Sequence, residues 1–191
     1  MSSNPVSYVS PEEYLERERE SDERHEYLYG EIIAVARPSP PHGVVVNNVA
    51  FALRIRLEAK GCQIFTESLR VSVQWGPLIA YPDVVLHCGE PEWVDDKHDT
   101  LTNPSFVVEV LSPSTMDYDR GTKSRLYRML SSMSEYLFIN PAPVDIEHWR
   151  RLPSGNWEVA IINDSSATLR LESLDCEIPV GEIYKNVERY V

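Results

Sequence analysis

The sequence predicts an α/β fold with a mixed central β-sheet flanked by helices and a β-rich C-terminal extension. Three observations carry that reading. Helix and strand signals alternate through roughly the first 150 residues, which places helices on the faces of a sheet. Residues 106–111 (FVVEVL) form a short, strand-forming apolar run held between Pro104 and Ser112-Pro113, as a fully buried strand should be. From about residue 144 onward, strand and turn signals take over.

Taken in order, Ser10-Pro11-Glu12-Glu13 supplies an N-cap, a proline at the first helical position and a capping-box acid, predicting a helix to about residue 21. Its charges read as a solvated face. Residues 26–36 read as one strand with Tyr27, Tyr29, Glu31, Ile33 and Val35 on one face, and Gly30 as a bulge or turn. A proline-rich segment ends it, and a helix follows over 42–59, closed by Lys60-Gly61. His42 heads its apolar stripe with Val45, Val46, Val49 and Leu53. Strands are expected at 63–67, 69–75 and 79–87, and a charged loop at 89–103. After the central strand come a helix over about 120–131 and strands at 134–140, 144–151, 157–162 and 167–171, then a closing segment at 178–184.

The chain has 191 residues, of which 42% are hydrophobic, enough for one domain over residues 1–191, with a core at about 10–150 and a tail at about 151–191. No apolar run is long enough to span a membrane, and the polar, acid-rich opening residues argue against a secretory signal. Cys62, Cys88 and Cys176 stand at unrelated spacings that suggest neither a disulfide framework nor a zinc site, so reduced thiols in a cytoplasmic protein are expected. The net charge of −12 opposes broad, nonspecific nucleic-acid binding but permits a local basic patch, as around Arg120, Lys123, Arg125 and Arg128. No glycine-rich phosphate loop is present.

Glu109 is the anomaly of the central strand. A buried carboxylate needs a cation or a proton, so Glu109 either faces a polar cleft and holds a metal or positive group, or is a satisfied structural acid. Lys123 falls on one helical face with Leu126, Tyr127 and Leu130 and is the cation that Glu109 lacks. Asp83 sits beside the apolar run 84–86, where adjacent strands can bring it close to Glu109. Two such carboxylates repel unless a divalent cation or a shared proton lies between them. Hard cations such as Mg²⁺ take one or two carboxylates together with water and phosphate oxygens, a combination suited to phosphodiester hydrolysis. His42 reads either as a contact to phosphate or water or as a structural histidine.

Pro82-Asp83, the run from Val107 to Ser114, Tyr118-Asp119-Arg120-Gly121-Thr122-Lys123 and Glu135-Tyr136-Leu137 resemble the Uma2 family of restriction-endonuclease-like proteins, within the PD-(D/E)XK nuclease superfamily. Glu26-Tyr27-Leu28-Tyr29-Gly30-Glu31 and the proline-rich His42 segment are similar to the family's opening. The resemblance spans roughly residues 10–150. It implies a restriction-endonuclease-like fold, a Mg²⁺- or Mn²⁺-dependent DNA endonuclease, Asp83 and Glu109 as metal ligands, and Glu31 as an additional acid. Leu111 stands where the motif lysine falls, so Lys123 takes that role from the next helix. Cutting both strands would suit a homodimer, though the sequence shows no interface signature. Leu111 and the acidic charge also fit a non-catalytic binding module on a nuclease fold, and a metal-free acid/base hydrolase is a third reading.

Overall fold

Two sheets share the centre of the molecule, where the sequence suggested one. The computed structural model describes residues 8–191; residues 1–7 of the expected single domain lie outside the described residues. In chain order the strands are β1 (His25–Leu28), β2 (Glu31–Ala34), β3 (Cys62–Thr66), β4 (Arg70–Val73), β5 (Leu78–Ala80), β6 (Val84–Cys88), β7 (Thr100–Leu101), β8 (Phe106–Val110), β9 (Glu135–Asn140), β10 (Asp145–Arg151), β11 (Trp157–Ile162), β12 (Thr168–Leu171) and β13 (Cys176–Pro179). One sheet runs β11-β10-β9-β8-β6-β3, the other β2-β1-β5-β4-β7, and β12 and β13 form a hairpin of their own. The larger sheet is mixed: β8 and β9 are parallel, and their other neighbours are antiparallel.

The expected strand at 26–36 is a hairpin. Tyr29 and Gly30 both adopt positive φ, the two-residue turn that matches strand twist, and Leu28 pairs with Glu31. The expected strand at 79–87 is likewise two strands. Pro82 interrupts it, β5 pairs in the smaller sheet and β6 in the larger, and Asp83 stands at the crossing. The expected loop at 89–103 contributes β7, which pairs parallel to β4.

Helix α1 (Pro11–Glu20) starts as its capping residues dictate, with the Ser10 hydroxyl accepting from the Glu13 N–H. It buries Tyr14 and Leu15 against Tyr27 and Ile79 on the outer face of the smaller sheet. Helix α2 (Pro40–Leu57) begins two residues earlier than expected and carries His42 in its first turn. Val45, Val49 and Leu53 pack on one face of the larger sheet, against Val84, Phe106 and Val108. Burying each of these side chains contributes about 1.5–3 kcal/mol.

The helix expected at 120–131 lies earlier: α3 (Met116–Tyr118), a wide π-helical turn over Asp119–Lys123, then α4 (Ser124–Tyr127). Asp119 and Lys123 in the wide turn are buried along with Leu126 and Tyr127 of α4. They cover the face of the larger sheet opposite α2.

Two expectations from the far segments change. Residues 178–184 divide between β13 and a short helix, α5 (Val180–Ile183). Cys62 and Cys88 are bonded to each other, correcting the expectation of three free thiols; Cys176 alone is free. Antiparallel register, invisible in their sequence spacing, sets these two cysteines directly opposite on β3 and β6. None of the described helices is long and apolar enough to cross a membrane.

The tail is anchored by Glu135. Its carboxylate accepts from the backbone N–H groups of Glu172 and Ser173 and from the Ser173 hydroxyl. Burial pushes this carboxyl up, but neighbouring His148 and the Ser173 donors outweigh it and hold it below its ordinary value. Its stabilising contribution is therefore present above the unfolded-state value of about 4.3 and is lost as pH falls through the lower folded value. Glu135→Ala leaves buried donors unpaired and is expected to cost about 2 kcal/mol or more in urea unfolding at neutral pH, with a smaller loss in acid. An equal loss at both pH values would contradict this role.

Candidate active site

The site is built where the two sheets meet. The β6–β8 register pairs Val84 with Val108, and one step further it sets Asp83 opposite Glu109. The Val110 N–H donates to Asp83 Oδ2 at 2.6 Å, holding the aspartate at the strand end. Glu26, on β1, approaches from the smaller sheet, and the π-helical turn brings Lys123 down between them.

Lys123 Nζ lies 2.9 Å from Glu26 Oε1, 3.2 Å from Glu109 Oε1 and 3.3 Å from Asp119 Oδ1, all four residues being buried. The Tyr127 hydroxyl donates to Glu109 Oε1 at 2.6 Å. Burial works against the ammonium, but Glu109, Glu26, Tyr127 and Asp119 outweigh it, so Lys123 keeps its proton well above its ordinary range. Burial also raises Glu109; Lys123 lowers it, but Asp119, Asp83 and Glu26 add to the rise. The crowd of acids pushes both values up, adding to burial at Glu109 and opposing it at Lys123. A single ammonium serves too many acids, and the surplus negative charge calls for a proton or a further cation.

Glu26, Asp83, Glu109, Asp119 and Lys123 line a cleft of about 360 Å³ whose walls also include His42, Glu67, Ser112, Thr115 and Tyr118. His42 Nε2 is 3.2 Å from Asp83 Oδ1. Burial pushes this imidazole toward the neutral form, but Asp83, Glu67 and the Val110 backbone prevail and raise its pKa. Glu67 adopts a positive φ of 52° just after β3, and its N–H donates to the Asp83 carbonyl. One donor atom from each of His42, Glu67 and Asp83 lies within 4.8 Å of the others.

The structure thus brings together Asp83, Glu109, Lys123 and His42, four of the five residues singled out in the sequence. It does not bring Glu31, which is exposed beside the hairpin turn and outside the cleft lining; Glu26 occupies the place that Glu31 was expected to take. The reason is the turn at Tyr29-Gly30, which folds 26–36 back on itself. Glu67, Asp119 and Tyr127 were missed as site residues. The i, i+4 spacing of Asp119 and Lys123 was a usable signal, and Tyr127 lay on the same stripe as Lys123. For Glu67 the sequence offers none.

A family model described as "Putative restriction endonuclease", that of Uma2, matches residues 11–181. Two uncharacterized proteins of Synechocystis sp. are similar to the chain. One is 34% identical over 188 residues, covering 97% of this chain and 96% of the relative. The other is 32% identical over 145 residues, covering 76% and 82% respectively. A crystal structure described as "a putative nuclease belonging to DUF820", from Anabaena variabilis, superimposes with a TM-score of 0.76 at 15% identity, covering 94% of this chain and 99% of the other. That likeness shows the fold.

Lys123→Met removes the cation that three buried carboxylates share, and is expected to destabilise the protein by about 3–5 kcal/mol. Glu109, already raised above its ordinary value, loses the neighbour that lowers it. The variant's stability should therefore fall as pH rises above the unfolded carboxylate range, bringing it closest to wild type in acid. Urea unfolding at acidic and neutral pH measures this, and a loss independent of pH would refute the charge-sharing account.

Proposed function

The chain belongs to the Uma2 family, and on that premise we propose that it is a metal-dependent endonuclease hydrolysing DNA phosphodiester bonds. The observation that carries the reading is Asp83, next to the β6–β8 ladder, held by the Val110 N–H at the Glu109 end of β8, beside a buried lysine and inside a cleft. The donor set fits a hard divalent cation, because the surplus of carboxylates has too few cations of its own. Asp83 and Glu109 would hold Mg²⁺ or Mn²⁺. When bound, such an ion supplies a Lewis acid for the phosphate and an acidified water.

The protein's own groups provide the rest. Lys123, fixed on Glu109 Oε1, presents a permanent positive charge where negative charge develops on the phosphate, or orients the attacking water. Tyr127 keeps Glu109 from rotating: burial and the Glu109 charge raise its hydroxyl pKa, so it remains a donor. Arg24 and Arg37 lie on the cleft wall, where they can meet the flanking phosphate backbone without the protein being basic overall. Leu111 packs in the core beside Val107, so in this chain the local motif position serves packing and the lysine comes from α3–α4.

Purified protein should nick or linearise plasmid DNA in Mg²⁺ or Mn²⁺ and stop on chelation. Asp83→Asn and Glu109→Gln should each lower cleavage by at least about 100-fold while the far-UV spectrum is unchanged. A folded protein that cleaves no DNA with any of several divalent ions would overturn the proposal.

A further inference from the structure

We infer that His42 and Glu67 join Asp83 as ligands of the cation, and that the site therefore prefers Mn²⁺ or a similar first-row divalent ion over Mg²⁺. This deepens the reading of the cleft as a divalent-cation site and rests on it. The pairing of Asp83 with Glu109 explains where a metal sits along the strands, but Glu109 has one oxygen already committed to Lys123 and Tyr127. His42 Nε2 and a Glu67 carboxylate oxygen stand near Asp83 instead.

Three facts support their role. First, one donor atom each from His42, Glu67 and Asp83 falls inside a 4.8 Å span, close enough for small side-chain adjustments to bring all three onto one cation. Second, His42 is only 8% exposed, and its Nδ1 is buried with no hydrogen-bond partner among the described residues. The other ring nitrogen, Nε2, faces Asp83 Oδ1 at 3.2 Å, so a neutral imidazole offers a nitrogen donor on the wall of an acidic cleft. Third, α2 delivers His42 from its first turn, while the loop after β3 delivers Glu67 and ties its N–H to the Asp83 carbonyl. The three donors thus come from rigid attachments to one another.

The donor set selects the ion. Mg²⁺ favours oxygen ligands and keeps much of its water, whereas imidazole nitrogen suits first-row transition ions. A nitrogen among the carboxylate ligands places Mn²⁺ ahead of Mg²⁺.

The test uses Mn²⁺ itself as the probe, by electron paramagnetic resonance on the intact chain. Wild-type protein should bind Mn²⁺ and show the electron-spin-echo modulation of a directly coordinated ¹⁴N. In His42→Ala that nitrogen signature should vanish, Mn²⁺ affinity should fall at least about tenfold, and the preference over Mg²⁺ should shrink. Glu67→Gln should weaken binding similarly with the nitrogen signature retained. Circular dichroism on each variant confirms that it is folded, and His42→Gln, nearer in size, substitutes if the alanine variant is not. Mn²⁺ bound by wild type without ¹⁴N modulation would overturn the inference while leaving the metal-dependent reading intact. No Mn²⁺ bound by wild type at all would overturn both.

Discussion

The structure depends on one ammonium group placed where three carboxylates can reach it. Lys123 sits in a buried position that Glu26, Glu109 and Asp119 enter from a strand of the smaller sheet, a strand of the larger sheet and its own helix. No pair among these would repay desolvation alone, because a buried ion pair gains little net stability. Together they tie at one point three elements whose apolar side chains also pack together, and they leave an excess of negative charge beside Asp83. The same arrangement therefore helps fix the architecture and creates the demand for a proton or a further cation.

Much of this was legible from residue chemistry. Glu109 stood out because a carboxylate inside FVVEVL is costly, and Lys123 because helical spacing put a cation on an apolar stripe. Those arguments use only burial and periodicity, and the structure keeps both residues buried and in contact. The boundaries of α1 followed from its cap for the same reason: capping is local. What failed was whatever depends on pairing partners. The 26–36 segment alternates as one strand should, yet the Tyr29-Gly30 turn doubles it back, so Glu26 rather than Glu31 reaches Lys123. Register also decided the bond between Cys62 and Cys88, and no spacing rule could show it.

The second sheet was the largest omission, and Pro82 explains it. A continuous strand from 79 to 87 looks reasonable by hydrophobicity, but the proline cannot donate to a ladder, and the chain uses it to leave one sheet and enter the other. Asp83 is positioned by that transfer. Its backbone carbonyl accepts from Glu67, and its carboxylate accepts from Val110 and faces His42, so four separate stretches of chain are aligned at one residue. Glu67 carries no periodic signal because its position comes from a left-handed turn, not from a regular element.

The C-terminal segment has a bearing on timing. Leu169, Ile178 and Ile183 cover the side of α2 turned toward them, Asn48 donates to the carbonyls of Ile183 and Lys185, and Lys60 donates to those of Leu174 and Asp175. The helix that presents His42 thus stays partly uncovered until residues 169–185 have left the ribosome, seconds after Asp83, Glu109 and Lys123 at about 5–20 residues per second. A nascent chain would hold every acid and the lysine before it had a settled helix to carry the imidazole. The imidazole is thus the last of the cleft's groups to be fixed in place, after the carboxylates and the lysine.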